Sequence, residues 1–411
     1  MTKSYWMETL GCPKNQVDSD KLVGTLLADG YQAAAAAEDA DLVVVNTCAF
    51  IEDARQESID TVLELSGSRR EGAELVVTGC LAERHPGELS AALSDDVDAV
   101  VGFGVPVTIG TKPAPPTLDL LNLPRPAADL PWAYVKIAEG CDRACGFCAI
   151  PTFRGPQRSR SLSSIVAEVE ALGVQEVVLV AQDLASFGRD QGVGQRAIVP
   201  LVRAVADRVR WVRLLYLYPS DLSDGLIDAI CDTAVPYFDL SLQHVSPPLL
   251  RRMRRWGNGE RFLRRIAEIR GREPDAAFRS NFIVGYPGET EADHDQLLRF
   301  VEQADLDWCG FFTYSAEEGT YATSLDGVVD PGLMRDRISE LAELQDAITA
   351  AKRDQMVGRE VQVLIDKPGQ ARSHREAPEI DGVISVPTDL EAGTFATVKV
   401  QEALGSDLVA R

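Results

Sequence analysis

Short apolar runs bounded by turn-forming residues recur along the first hundred residues of the chain. The runs at 4–10 (SYWMETL), 41–47 (DLVVVNT) and 73–79 (AELVVTG) are rich in β-branched residues or tightly bounded by turn formers, so they predict buried strands. Between them, 15–30 (NQVDSDKLVGTLLADG) and 51–67 (IEDARQESIDTVLELSG) carry helical periodicity, the first stopping on Gly30. Alternating strands and helices predict an open α/β sheet of flavodoxin-like type over 1–112. A proline-rich stretch, 113–130, interrupts regular structure and predicts a linker.

Six further apolar runs follow, each separated from the next by a helical stretch: 132–140, 176–183, 211–219, 237–244, 279–288 and 306–315. Six β/α units predict a barrel or partial barrel over 131–354, with ligands at the carboxyl ends of its strands. A long helix is predicted at 337–358. The texture then changes to short alternating runs at 358–366, 381–387 and 393–400. Residues 355–411 therefore predict a small all-β barrel of OB-like type.

Chemistry enters through cysteine placement. Cys141, Cys145 and Cys148 form Cys-x3-Cys-x2-Cys within EGCDRACGFCAIP. Iron–sulfur cubanes are normally held by four thiolates. Three leave one iron open to a ligand that is not protein. A structural zinc site would need a closed set of four ligands and usually a second knuckle, and none follows. Eight cysteines in 411 residues are too dilute for a disulfide framework. No leader peptide and no run near the ~20 apolar residues of a membrane span is recognised, so a soluble, reducing, cytoplasmic setting is expected.

Cys12, Cys48 and Cys80 are scattered in sequence, yet each ends a predicted strand and precedes a helix. The carboxyl ends of strands in an open parallel sheet share one crevice. The three are therefore expected to converge on a second cluster, helped by nearby helix N-termini. The competing reading is that they are small buried residues. Cys231 and Cys309 lie in apolar surroundings and are read as core residues without ligand roles.

The Cys-x3-Cys-x2-Cys loop, with Phe147 before its last cysteine, resembles the radical S-adenosylmethionine enzymes. The whole chain resembles their methylthiotransferase family. The similarity is carried by TLGCPKNQVDSD, VNTCAFIEDARQESI, SLQHVSPPLLRRMRR, FIVGYPGETEAD, YSAEEGTYA and APEIDGVISV. APEIDGVISV points to the branch acting on an aspartate of small-subunit ribosomal protein twelve. The resemblance implies an N-terminal auxiliary-cluster domain, a radical domain and a C-terminal TRAM domain. It implies two [4Fe-4S] clusters, on Cys12, Cys48 and Cys80 and on Cys141, Cys145 and Cys148. It also implies S-adenosylmethionine as methyl donor and radical source, and an electron donor such as flavodoxin or ferredoxin. Radical chemistry suits an unactivated C–H bond, which offers neither an acidic proton nor an electrophile.

Further cofactor contacts are expected from Phe147 and from strand ends: Gln182 with Asp183, Gln243, Arg279 with Ser280, and Gly285. Some of these are equally read as turn or capping residues. His244 is either a barrel-mouth residue or a hydrogen-bonded structural histidine.

Charge bears on the partner. Forty-one basic against sixty-three acidic residues leave −22, which disfavours a phosphate backbone and favours a basic protein. From Val357 onward six Lys or Arg face nine Asp or Glu, so the last module is acidic too. The alternative, a methylthiotransferase acting on an adenosine beside the tRNA anticodon, is better served by a basic module. Opposing evidence is the run Arg251, Arg252, Arg254 and Arg255, continued by Arg261, Arg264 and Arg265, which either contacts RNA or pairs with acidic neighbours. A third reading, a non-catalytic iron–sulfur protein that binds RNA or carries electrons, would call for closed four-cysteine shells.

Overall fold

The computed structural model describes residues 3–107, 119–192 and 197–411. The first part of the expected linker, 113–118, lies outside them. The chain divides into two compact units. One comprises 1–127, 138–142 and 149–164, and the other 128–137, 143–148 and 165–411.

The first unit holds strands β1 (Ser4–Thr9), β2 (Gln32–Ala33), β3 (Leu42–Thr47), β4 (Glu74–Gly79) and β5 (Ala99–Val100). They form an all-parallel sheet of order β2-β1-β3-β4-β5. This is the flavodoxin-like order, whose reversal of winding lies between β1 and β3. Strand β3 is buried at every position, because helices cover both faces of the sheet centre. The edge strands β2 and β5 have two residues each, too short to leave a periodic signal. Helix Pro13–Ala28 starts two residues before its predicted beginning, with proline in its first turn and Gly30 in the left-handed region just past its end.

In the second unit, β6 (Trp132–Lys136) is a barrel strand, whereas the short ribbon β7 (Ala138–Glu139) and β8 (Arg158–Ser159) belongs to the first unit. The barrel continues with β9 (Glu176–Val180), β10 (Trp211–Leu214), β11 (Tyr237–Gln243), β12 (Ala277–Val284) and β13 (Trp308–Thr313). The six expected strands form two three-stranded parallel sheets, β10-β9-β6 and β11-β12-β13. A bridge between Leu217 and Leu240 joins them into a partial barrel. Helix Pro331–Asp354 begins six residues before its predicted start, because Asp330 caps the N–H groups of Gly332 and Leu333 ahead of the apolar periodicity.

The last module is a closed five-stranded barrel made of β14 (Glu360–Lys367), β15 (Gln370–Arg372), β16 (Ile384–Ser385), β17 (Phe395–Leu404) and β18 (Asp407–Ala410). Within the second unit it is clasped to the larger barrel by APEIDG. Asp381 accepts from the Tyr237 hydroxyl at 2.6 Å and from Arg279 at 2.7 Å, and the Pro378 carbonyl accepts from Tyr134 at 3.0 Å. Among the described residues, no helix is long and apolar enough to cross a membrane.

Candidate iron–sulfur centres

Strand ends β1, β3 and β4 deliver Cys12, Cys48 and Cys80. Cys12 caps helix Pro13–Ala28, and Cys80 opens the short helix Cys80–Arg84. Cys48 is followed by a three-residue loop before helix Glu52–Ser68. The three sulfurs are close enough to influence one another's ionisation. Burial, together with the neighbouring Cys12 and Cys80, pushes the Cys48 thiol up to about 12. Burial opposes ionisation of Cys12 as well, but Lys14, Arg154 and two backbone N–H groups outweigh it and hold that thiol below its ordinary value.

The surroundings are built around these sulfurs. Ser58 accepts from the Cys48 N–H at 3.0 Å and donates to the Cys48 carbonyl at 3.1 Å. Buried Asn15 donates to the Leu10 and Thr47 carbonyls, tying the turns after β1 and β3 together, and its Oδ1 accepts from Cys80 at 3.4 Å. Arg154 donates to the Cys80 sulfur at 2.9 Å. None of these residues was singled out from sequence. Asn15 and Ser58 lie inside the runs that carry the family resemblance, and Arg154 closes CAIPTFR just after the third cysteine of the loop.

Among the described residues, no three Cys, His, Asp or Glu side chains converge as they would around a single ion. A cubane instead places each thiolate on a different iron, so its ligands stand farther apart. The donor set fits such a group: three thiolates, backbone N–H groups at the sulfurs, and one guanidinium beside them.

Gly79 is necessary to this arrangement. Its φ is +94°, and a β-carbon there would come within 2.6 Å of the Thr47 backbone nitrogen and oxygen. Gly79→Ala is expected to cost about 1–3 kcal/mol in strain and to push β4 off β3 at Cys80. Iron analysis after reconstitution should show roughly half the metal missing, one of the two clusters held by Cys thiolates.

In the Cys-x3-Cys-x2-Cys loop, the Cys141 N–H donates to the Gly155 carbonyl at 3.1 Å within the first unit. In the second unit, Arg255 donates to the Cys145 sulfur at 3.4 Å. Gly146 donates to the Met253 carbonyl and accepts from the Ala322 N–H, which fixes the loop's tip. Arg143 is held by Asp183 at 2.5 Å and by Asp221. The guanidinium groups of Arg143 and Arg255 lie 3.8 and 3.9 Å from the Tyr218 ring centre. One guanidinium, that of Arg255, thus stands at the Cys145 sulfur, a charge that suits an anionic cluster.

Family models match this chain in three segments: an uncharacterised protein family (UPF0004) over residues 4–102, the radical SAM superfamily over 135–301 and the TRAM domain over 357–411. Ribosomal protein uS12 methylthiotransferase RimO of Chloroflexus aurantiacus is 40% identical, with 98% of each chain covered. RimO of Anaeromyxobacter sp. (strain K) is 42% identical over 100% of this chain and 93% of its own, and RimO of Moorella thermoacetica is 42% identical over 96% and 95%. The chain belongs to the RimO family. The methyltransferase TsrM of Kitasatospora setae, a radical S-adenosylmethionine enzyme, shares the fold at TM-score 0.51 and 13% identity, covering 85% of this chain and 89% of its own.

The remaining candidates of this RimO-family chain fall into two groups. Phe147 packs edge-on against Tyr286 with ring centres 6.5 Å apart. Gln182 follows β9, and Gln243 ends β11 with φ +70°, in the left-handed region, where the β11–β12 register shifts. Tyr216, after β10, is left-handed as well. Non-glycine residues in this conformation cluster at functional sites. The others each have a partner within the protein. Asp183 grips Arg143, and Ser280 donates to the Leu240 carbonyl at 2.7 Å. Arg279 is engaged by Asp381, and Gly285 donates to Glu289 at 2.5 Å in a turn where a β-carbon would strike Met334.

His244 is fully buried, and burial lowers its pKa to about 3, so it is a neutral structural histidine. Cys231 and Cys309 are half-buried rather than in the deep core, and burial raises both thiols. The basic run is divided in role. Arg255 serves Cys145, Arg252 pairs with Asp326, and Arg265 pairs with Asp224 and Glu268. Arg251, Arg254, Arg261 and Arg264 are exposed. A cavity of about 440 Å³ between β11 and helix Gly259–Arg272, floored by Leu240, Leu242 and Phe262, is lined by no cysteine.

Proposed function

We propose that this chain adds a methylthio group to the β-carbon of an aspartate in ribosomal protein uS12. The observation that carries this reading is the presence of two three-cysteine sets, each with a guanidinium donating to one of its sulfurs, in a chain about 40% identical to RimO proteins over nearly its full length. When bound, the clusters and S-adenosylmethionine supply transferable sulfur and a radical able to take an unactivated hydrogen. The protein's part is to hold and orient them. Cys12, Cys48 and Cys80 hold the auxiliary cluster, and Cys141, Cys145 and Cys148 hold the radical-generating one. Phe147, Gln182 and Gln243 would contact S-adenosylmethionine, and Arg279 and Gly285, at the start of β12 and just past its end, would complete or support that site. The working division is 1–112, 131–354 and 355–411, joined by 113–130.

The acidity of the chain and of its last module supports a basic ribosomal protein as substrate. The exposed arginines at 251, 254, 261 and 264 support an acidic electron carrier such as flavodoxin or ferredoxin, with ribosomal RNA contact secondary. A cytoplasmic setting follows from such partners. Mass spectrometry of uS12 and tRNA from a strain lacking this protein, with and without the restored gene, tests the reading. The uS12 aspartate is expected to lose the mass of one methylthio group and to regain it on complementation. Loss from tRNA with uS12 intact would overturn it.

A further inference from the structure

Arg154 has a side chain only 3% exposed, and it reaches four groups at once. One terminal nitrogen donates to the Cys80 sulfur at 2.9 Å and to Asn15 Oδ1 at 2.8 Å. The other pairs with Asp18 at 2.9 Å and with Glu139 at 3.0 Å. Its planar face rests on Phe103, 4.3 Å from the ring centre. Two carboxylates already balance its charge, so neutralising Arg154 does not require the bond to sulfur.

The partners have telling addresses. Asp18 lies on the helix that Cys12 caps, and Glu139 stands two residues before Cys141. Arg154 itself stands six residues after Cys148. One side chain therefore fastens both flanks of the Cys-x3-Cys-x2-Cys loop to the surroundings of a ligand of the other set. Lysine has no planar fork with which to do this.

We propose that Arg154 is a positioning residue that donates a hydrogen bond to the Cys80 sulfur when the auxiliary cluster is bound, and so raises that cluster's reduction potential. The inference rests on the reading of Cys12, Cys48 and Cys80 as its ligands. Hydrogen bonds to cluster sulfurs and nearby positive charge both favour the reduced, more negative form.

The test uses the full-length chain carrying C141A, C145A and C148A, so that only the auxiliary cluster is loaded. Into it go R154K, R154Q and the double variant R154Q/E139Q, which removes one of the two carboxylates that R154Q leaves without their guanidinium. A potentiometric titration should place the R154Q midpoint below the parent's, with an altered paramagnetic spectrum. Iron should be extracted by a chelator about 10- to 100-fold more readily. R154K is expected to recover the midpoint in part, because it restores charge without the fork. If R154Q is insoluble, R154K and the double variant carry the comparison. An unchanged midpoint and spectrum in the double variant would overturn the proposal and leave Arg154 as a buried ion pair alone. A parent that binds no iron would overturn it by a different route, through the ligand assignment itself.

Discussion

Replacing Cys145 with alanine is expected to abolish both S-adenosylmethionine cleavage and methylthio transfer, whereas Cys12→Ala is expected to keep cleavage and lose transfer alone. The asymmetry follows from where the two sulfurs sit. Cys145 is on the three-cysteine loop, bonded to Arg255 and anchored through Gly146 to Met253 and Ala322. Without it, a cluster held by that loop would keep only two of the three thiolates proposed for it. Cys12 ends β1 in the other set, beside Cys48 and Cys80. An unactivated C–H bond has no slower general-base route to fall back on. The loss in Cys145→Ala should therefore approach the whole enzymatic acceleration, at least about 10⁶-fold. Chromatography of 5′-deoxyadenosine after reduction reads cleavage, and the mass of the uS12 aspartate reads transfer. Iron content near half in each variant would show that the untouched centre is loaded. Cys12→Ala protein that is cluster-loaded yet forms no 5′-deoxyadenosine would sink the separation of roles.

The parts of this molecule that were legible in its sequence are those with a short-range signature. Buried strands such as Leu42–Thr47 declare themselves as apolar runs, and Cys-x3-Cys-x2-Cys carries its chemistry in its spacing. Even the convergence of Cys12, Cys48 and Cys80 could be reasoned out, because strand ends of one parallel sheet share a crevice. What stayed hidden depends on partners distant in sequence. Arg154 reads as an ordinary loop arginine until Cys80, 74 residues away, is placed beside it. Nothing around Arg279 in sequence announces its ion pair with Asp381, 102 residues on. The same pairing gives APEIDG a physical meaning that its use as a branch marker did not contain: its aspartate sets the small barrel against β11 and β12. The two-residue strands β2 and β5 were invisible for a simpler reason, since periodicity needs more than one repeat to be seen.

A second large effect is expected far from either cysteine set, in the ion cluster where β9 begins. Glu176 is fully buried, with one carboxylate oxygen 2.8 Å from Arg213 and the other 2.8 Å from Arg372 of the small barrel. Arg372 also pairs with Asp366 at 2.6 Å, and Arg213 donates to the His374 carbonyl at 2.8 Å. Glu176→Gln would leave two buried guanidinium groups sharing too little negative charge. Breaking a buried pair from one side costs about 3–5 kcal/mol, which should lower the calorimetric midpoint by roughly 10 °C. The effect should also depend on pH in a definite sense. Burial alone would lift the Glu176 carboxyl, but Arg372 and Arg213 outweigh it and hold its pKa below the ordinary range. A carboxylate with a depressed folded-state pKa contributes its stability above the unfolded value, and that contribution is lost as pH falls through the folded one. The gap between parent and Glu176→Gln should therefore stay constant at neutral pH and begin to close below about pH 4.3, where the unfolded glutamate takes up its proton. Because the cluster lies at the amino end of a barrel strand, opposite the end where ligands bind, the folded variant should keep its rate of S-adenosylmethionine cleavage at low temperature. A midpoint unchanged across the whole pH range would mean that Arg372 and Arg213 find other counter-charges once Glu176 is gone.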